Sequence, residues 1–257
     1  MVPWNAAPPC APLPSAHRKT AHPVYNPDPR IQALPLFDGH VAWVVDDALR
    51  EPRRVVDLAA AHRDAFAVMG HNAYPGLELR LPDEVSAALN DFFLQHVRAR
   101  LGIRRVERMY SRLALVTFAA DRLGPPQWFA HRDRFGLTPP QCVAASVLYL
   151  FDEPALGGTA FFRPRRPLAD VDRMVRDSGV LAPAAFTRVY GIAPGYPRDD
   201  AWFEQVAVVP PRFNRIVFYD GGLFHAGVIP DPARLSDDPR RGRLTLNGFF
   251  TCRRGAA

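Results

Sequence analysis

His131 and Asp133 are separated by a single residue, a spacing at which an imidazole and a carboxylate can hold the same metal ion. Alternate residues of an extended segment point to the same side of it, so a strand over residues 127–133 would bring both side chains to one point. Two histidines and one carboxylate form a ligand set that leaves open positions on iron(II) for reaction with oxygen. His225 is the candidate third ligand, and the three residues together predict a metal centre.

The same tripeptide occurs a second time, as His62-Arg63-Asp64. Apolar residues between positions 55 and 69 recur at helical spacing, which predicts a helix there. On a helix, residues i and i+2 do not face each other, so we interpret His62 and Asp64 as surface residues. Neither copy is followed by the Leu, the Asn and the Asp-Phe-Gly that a protein kinase would have.

The composition indicates one large domain with an apolar core, because the chain has 257 residues and 48% of them are hydrophobic. The formal net charge is +6, and Lys19 is the only lysine among 32 basic residues. No dense basic run is interleaved with aromatic residues, so we expect no nucleic-acid partner. A small molecule or a peptide is the expected substrate.

The three cysteines show no C-x-x-C spacing, which argues against a structural zinc site. An odd and sparse set does not fit a disulfide scaffold and is typical of a reducing cytoplasm. The first residues lack the charged start and apolar run of a signal peptide. No apolar stretch reaches the ~18 residues that cross a bilayer. We therefore expect a cytoplasmic protein without membrane contact.

The first part of the chain predicts an arm followed by helices. Residues 1–30 are rich in proline and predict an extended arm, and residues 31–257 predict one domain. A strand is expected near 40–45, and a helix is expected to begin at Asp46-Asp47 and to continue through 51–69. Tyr74-Pro75-Gly76 predicts a turn. A second, amphipathic helix is expected over 82–101, ending at Gly102.

Beyond residue 104 the pattern changes to short strands, separated by Gly, Pro and Asp, which favours a sandwich or jelly roll. Helices followed by strands argue against a doubly wound parallel sheet, so the fold class is α+β and mainly β. Residues 163–204 interrupt the pattern and predict an inserted, lid-like segment with a helix at 170–177. The predicted strands are 105–118, 127–132, 143–151, 159–162, 205–209, 215–219 and 244–252.

Five short motifs follow one another in a particular order. They are His131-Arg132-Asp133, Val-Leu-Tyr-Leu at 147–150, Gly-Gly-Thr-Ala-Phe at 157–161, a strand that leads through Gly221-Gly222 to His225, and Arg243 before the apolar run 244–250. This order resembles the iron(II)- and 2-oxoglutarate-dependent oxygenases, specifically their prolyl-4-hydroxylase-like branch. The resemblance covers residues 113–250.

The resemblance implies a double-stranded β-helix core, of jelly-roll or cupin type, flanked by N-terminal helices. It implies that His131, Asp133 and His225 bind iron(II), and that Arg243 binds the far carboxylate of 2-oxoglutarate with two hydrogen bonds. Tyr149 and Thr245 would belong to the same cosubstrate pocket. Such an enzyme consumes O2, releases succinate and CO2, and hydroxylates an unactivated C–H bond. Because a carboxylate occupies position 133, hydroxylation is favoured over halogenation.

Alternatives remain at this stage. Arg240 and Arg241 are rival anchors, and Arg243 is preferred because it directly precedes the apolar strand, where it would share a face with Thr245 and Asn247. A cupin-like metal enzyme that does not use 2-oxoglutarate and a non-catalytic jelly-roll binding module are the competing functions. The sequence does not specify the substrate, or hydroxylation rather than another oxidation.

Overall fold

Two facing antiparallel sheets form the centre of the structure, a computed structural model that describes residues 24–70, 73–133, 137–138 and 140–254. The small sheet has the strand order β7-β6-β9, with β6 (Thr159–Pro164), β7 (Phe203–Val209) and β9 (Phe224–Gly227). The large sheet has the order β1-β2-β8-β5-β10-β4-β3. Its strands are β1 (Ile31–Pro35), β2 (Val41–Val45), β3 (Gly76–Arg80), β4 (Ile103–Val116), β5 (Gln141–Tyr149), β8 (Arg215–Asp220) and β10 (Arg243–Arg254).

Helices cover the outer face of each sheet. α1 (Pro52–Ala61) and α2 (Asp83–His96) pack on the large sheet, while α3 (Leu168–Ser178) and α4 (Pro183–Tyr190) pack on the small sheet. Within the described part of the chain, no helix has the length and the apolar character that a bilayer crossing needs.

The space between the sheets is lined by alternate residues of their strands. Phe161 of β6 points inward and meets the ring of Tyr219 of β8 at a centroid distance of 5.1 Å. Its neighbour Phe162 points outward, into the cluster that contains Phe186 of α4. This period of two is the pattern of a sheet that is buried on both faces. The mainly β prediction is confirmed, and the two antiparallel sheets are consistent with a jelly-roll-like fold.

The second predicted helix is confirmed as α2. Asp83 and Glu84 lie in its first turn, where negative charge interacts favourably with the helix dipole. Phe93 stacks on Phe250 of β10 at a centroid distance of 4.1 Å and lies 5.9 Å from Phe218 of β8. After a 3-10 turn, Gly102 adopts a left-handed φ of 65°, which ends the helical segment as a C-terminal glycine does.

The first predicted helix is shorter than expected, because α1 begins at Pro52 and is followed by a 3-10 turn at Arg63–Ala65. The predicted start at Asp46-Asp47 was wrong. Asp47 has a φ of 53°, and the Asp46 carboxylate accepts hydrogen bonds from Arg212 and Arg215. Asp46 therefore anchors the end of β2 to the loop before β8 and to β8 itself, and neither acidic residue caps α1.

Three short strands escaped the sequence prediction, namely β1, β3 and β9. Residues 127–132 were wrongly predicted as a strand. A 3-10 turn at Pro125–Gln127 is followed by bends, and only His131 forms a β-bridge. The insertion holds two helices instead of one, and its action as a lid stays a prediction. Residues 1–23 of the predicted arm lie outside the described residues, whereas Tyr25 bridges to Leu49 and packs against α2.

Docking of α2 on the large sheet should carry much of the stability. We expect Phe93→Ala to lower the free energy of unfolding by about 3–5 kcal/mol, because the ring is fully buried between two strands. Leu94→Ala, which alters an exposed neighbour on the same helix, should change it by no more than about 0.5 kcal/mol. Urea unfolding followed by circular dichroism would compare them, and equal losses in both variants would contradict this packing.

Candidate metal centre

The segment that carries His131 and Asp133 is attached to the edge strand β9 by backbone hydrogen bonds. The His131 N–H donates to the His225 carbonyl at 3.0 Å, and the His225 N–H donates back at 2.9 Å. The Asp133 N–H then donates to the Gly221 carbonyl at 2.7 Å. Because β9 pairs with β6 on its other side, the segment that carries the ligands lies at the edge of the small sheet, next to β9.

These bonds bring the three predicted ligands together. Nε2 of His131 lies 3.7 Å from Oδ1 of Asp133, and Nε2 of His225 lies 3.4 Å from Oδ2 of the same carboxylate. The three ligand atoms lie within 4.8 Å of one another, and within the described ranges no other group of three His, Cys, Asp or Glu side chains does so. His62 and Asp64, the second copy of the tripeptide, are not part of any such group.

His225 is buried and its ring is fixed. Its Nδ1 lies 2.9 Å from the Leu223 carbonyl, which only a protonated Nδ1 can satisfy, so Nε2 is the ring nitrogen that faces Asp133 and is placed to bind a metal. The ring of Tyr219 packs edge-on against the imidazole at 4.6 Å. A histidine held in this way is already oriented for a metal ion.

The charges of the cluster are strongly coupled. Burial alone would raise the pKa of Asp133, but the neighbouring His225 and His131 and the guanidinium of Arg112 lower it. Surrounding protein atoms, and then the His225 charge, lower the pKa of His131 to about 4. This shift leaves the imidazole of His131 neutral at neutral pH, although 54% of its side-chain surface is accessible. A neutral imidazole and an ionised carboxylate are the states that coordinate a metal.

The donor set fits a divalent transition metal. Oδ2 of Asp133 is buried and makes no well-formed hydrogen bond within the described part of the chain, although His225 lies close to it. An uncompensated buried carboxylate oxygen is costly, and a cation between the three ligands would remove that cost. Gly221 packs closely against this carboxylate, since a Cβ there would lie 2.9 Å from Cγ1 of Val143 and 3.1 Å from the Asp133 Cβ, so a larger residue would force a neighbour to shift.

Arg243 lies at the start of β10 and is buried, with 4% of its surface accessible. Its Nε donates to the Gly157 carbonyl at 3.3 Å, and Nη2 donates to the Gly158 carbonyl at 3.0 Å. Among the residues that the structure describes, no carboxylate pairs with this guanidinium. The Gly-Gly turn that carries both carbonyls approaches its neighbours closely, since a Cβ at position 157 would lie 1.6 Å from the Val228 carbonyl oxygen.

The other two predicted cosubstrate residues are buried near Arg243. The Tyr149 hydroxyl donates to Oγ1 of Thr159 at 2.8 Å, and Oγ1 of Thr245 lies 3.4 Å from the Ala114 carbonyl. Burial raises the pKa of Tyr149, and the Thr159 hydrogen bond and the Arg243 charge act against that rise. The rival anchors Arg240 and Arg241 are exposed, and Arg240 pairs with Asp57.

Two further tyrosines near Arg243 were not identified from the sequence. The hydroxyl of Tyr196, in the inserted segment, donates to the Phe118 carbonyl at 2.6 Å. Tyr74, interpreted as a turn residue, lies close enough to Thr245 and Arg243 for both to act on its pKa, which burial raises to about 12. No spacing signal links either tyrosine to the motifs, because each reaches the pocket from a loop.

Arg243 approaches β9 at Gly227, two residues from the predicted ligand His225. His225 and Gly227 are alternate residues of β9, which separates them by about 7 Å. A Cβ at Gly227 would lie 3.3 Å from Nη2 of Arg243. The ligand cluster and the guanidinium therefore lie at neighbouring positions along the same face of β9.

Three solved structures are similar to this chain. The non-heme alpha ketoglutarate dependent epimerase SnoN from nogalamycin biosynthesis is 14% identical, with 85% of this chain and 82% of that chain covered and a TM-score of 0.46. HygX from Streptomyces hygroscopicus, with nickel and 2-oxoglutarate bound, is 11% identical, with 84% of each chain covered and a TM-score of 0.45. An N-substituted L-amino acid dioxygenase from Burkholderia ambifaria AMMD is 14% identical, with 81% of each chain covered and a TM-score of 0.36.

No curated protein matches the sequence. A family model does match, over residues 27–250, which include both sheets almost completely and every residue of the candidate centre. The chain therefore belongs to the family of unknown function DUF6445.

Proposed function

We propose that this protein is an iron(II)- and 2-oxoglutarate-dependent dioxygenase. It would hydroxylate, or otherwise oxidise, an unactivated C–H bond of a small molecule, an amino acid or a peptide, and release succinate and CO2. One observation carries the proposal: the buried Arg243, which pairs with no carboxylate of the described residues, approaches β9 two residues from His225 of the cluster of two histidines and an aspartate. The order of the sequence motifs supports the prolyl-4-hydroxylase-like branch.

Arg243 distinguishes this function from its competitors. A buried guanidinium without a counterion is unfavourable, and its two glycine carbonyl acceptors do not neutralise its charge. The far carboxylate of 2-oxoglutarate would supply that charge while its keto acid end reaches the ligand cluster. A metal enzyme that uses no keto acid, or a binding module without a metal, gives no reason to bury this side chain.

The three proposed metal ligands differ in solvent exposure, and we expect their roles to differ accordingly. Asp133 and His225 hold the buried side of the centre, and His131, with half of its side-chain surface accessible, borders the open side. Iron(II) held by these residues would activate O2, which is the oxidant, and 2-oxoglutarate would supply two of the four electrons as it is converted to succinate and CO2, with the other two taken from the C–H bond. The protein would hold the metal through the three ligands, neutralise the cosubstrate through Arg243 and exclude water from the buried side of the centre.

The inserted segment would brace this arrangement. Arg132, between two ligands, forms an ion pair with Asp172 of α3, and its guanidinium lies 4.6 Å above the ring of Phe224 in β9. Tyr196 ties the far end of the segment to the backbone that follows β4. These contacts support the proposal that the segment encloses a small substrate.

Removal of a ligand should abolish metal binding. We expect His131→Ala, Asp133→Ala and His225→Ala each to weaken iron(II) affinity by at least about 100-fold, since loss of a residue that only orients a ligand already costs about 10–100-fold. His62→Ala and Asp64→Ala provide matched controls, because they alter the second copy of the tripeptide. Anaerobic calorimetric titration would measure the affinities. Equal losses in the controls, or a wild-type protein that binds no metal, would contradict the centre and favour a non-catalytic module.

Removal of the anchor should separate cosubstrate binding from metal binding. With nickel(II) bound in place of iron, Arg243→Met should weaken 2-oxoglutarate binding by about 2–5 kcal/mol, because a buried, hydrogen-bonded charge loses its partner. Arg240→Met should leave it unchanged, and metal affinity should be the same in both variants. Succinate release by the iron form in the presence of O2 should fall in parallel. If Arg243→Met binds 2-oxoglutarate normally, the enzyme does not use this cosubstrate pocket.

A further inference from the structure

A second arginine lies on the inner face of the large sheet, away from Arg243. Arg112 of β4 is directly opposite Asn247 of β10, and Asn247 is opposite Val147 of β5. Alternation along β10 places Asn247 on the face that carries Arg243 and Thr245. Arg112 is mostly buried, with 16% of its side-chain surface accessible. The large sheet thus directs two arginines toward the small sheet, at different positions along the paired strands β4 and β10.

The guanidinium of Arg112 is held in a fixed place. Its Nη1 lies 2.7 Å from Oε1 of Glu78 in β3, and its central carbon lies 4.7 Å from the ring centroid of Phe249 and 5.5 Å from that of Tyr74. An arginine that is paired on one edge and stacked between rings loses little further freedom when it binds a ligand.

The cross-strand pair Arg112 and Asn247 also carries two polar atoms without a hydrogen-bond partner among the described residues. Nε of Arg112 and Oδ1 of Asn247 are buried and have no hydrogen-bond partner within the described ranges. Native proteins leave few such groups, because each one bears its full desolvation cost. A donor and an acceptor that are both unsatisfied on the same rung indicate a place where a polar ligand belongs.

This rung is separate from the cosubstrate anchor but close to the metal ligands. The pair Arg112 and Asn247 lies four residues along the strands from the pair Val116 and Arg243. This separation is about 14 Å, which is longer than one 2-oxoglutarate molecule. Phe249, whose ring lies 4.7 Å from the Arg112 guanidinium, is opposite Ala145 of β5, and Ala145 is opposite Tyr219 of β8. The ring of Tyr219 packs against His225 at 4.6 Å, which places the metal ligands on the Phe249 side of Arg112. A ligand at this rung would therefore lie beside the metal.

An aromatic wall leads from the rung toward solvent. Phe249 stacks on Tyr110, its cross-strand partner, with centroids 5.0 Å apart and an interplanar angle of 18°. Tyr110 is 38% exposed and forms the outer end of the wall. A flat apolar surface beside a cation suits a molecule that has a polar head and an apolar side chain.

We propose that Arg112 and Asn247 are specificity-determining residues that bind a free α-amino acid as the substrate of the proposed oxygenase. The guanidinium would take the carboxylate, the amide oxygen of Asn247 would accept from the amino group, and the side chain would lie along Tyr110 and Phe249. The carboxylate of Glu78 keeps the pocket close to neutral, which suits a zwitterion better than a dianion. This assignment rests on the proposed function, because it takes the metal cluster as the reaction centre.

The test uses the full chain loaded with nickel(II) and 2-oxoglutarate, titrated in a calorimeter with aliphatic and aromatic L-amino acids and with the matching amines that lack the carboxylate. We expect at least one acid to bind, and its amine to bind about tenfold more weakly or worse. Arg112→Met and Asn247→Leu should each weaken the acid by at least about tenfold. Arg108→Met, an exposed position on the same strand, should have no effect.

Because Arg112→Met removes the guanidinium that pairs with the buried Glu78, the double variant Arg112→Met/Glu78→Met is included, which removes both charges. Binding of 2-oxoglutarate should be unchanged in all of these variants. The assignment is overturned if no acid binds, if acid and amine bind equally, or if the Arg112 and Arg108 variants behave alike. It is also overturned if Arg112→Met weakens 2-oxoglutarate, because Arg112 then belongs to the cosubstrate pocket. Failure of wild type to bind nickel or 2-oxoglutarate would instead refute the proposed function itself, and the assignment with it.

Discussion

The candidate site depends on one short backbone pairing, the two hydrogen bonds between His131 and His225. These residues are far apart in the chain, and neither side chain alone specifies a metal site. The bridge fixes the two imidazoles with their ring centroids 4.5 Å apart, and the next bond along, from Asp133 to Gly221, delivers the carboxylate. The positions of the three ligands are therefore fixed by backbone bonds and not by side-chain contacts alone.

The two sheets contribute different chemistry to the space between them. The small sheet and the segment attached to it carry the three ligands. The large sheet carries Arg243, which is buried, and Arg112, which is mostly buried. Each charged group depends on a close backbone approach or a buried partner: the Gly157-Gly158 turn before β6 for Arg243, Glu78 for Arg112 and Gly221 after β8 for Asp133. A substitution that shifts one sheet relative to the other would therefore separate the ligand cluster from both arginines together.

Much of this arrangement could be predicted from the sequence, and the rest could not for identifiable reasons. The long strands β4, β5 and β10 and helix α2 have strong periodicity over nine or more residues, and their prediction was confirmed. The missed strands β1, β3 and β9 have five residues or fewer, too few for a pattern to emerge. The segment before His131 was wrongly predicted as a strand, because its Trp and Phe are apolar for packing on α4, not for a ladder.

The ligand set could be proposed despite that error, for a physical reason. His131 and Asp133 converge through local hydrogen bonds of their own N–H groups to two different residues, His225 and Gly221, so no regular strand is required. Arg112 shows the converse limit. The strand that carries Arg112 was predicted. The role proposed for Arg112, however, depends on Asn247 and Glu78, which reach it by pairing across three strands. Motif order identifies residues that act through their type and spacing, whereas a specificity pocket is defined by cross-strand register, which only the structure supplies.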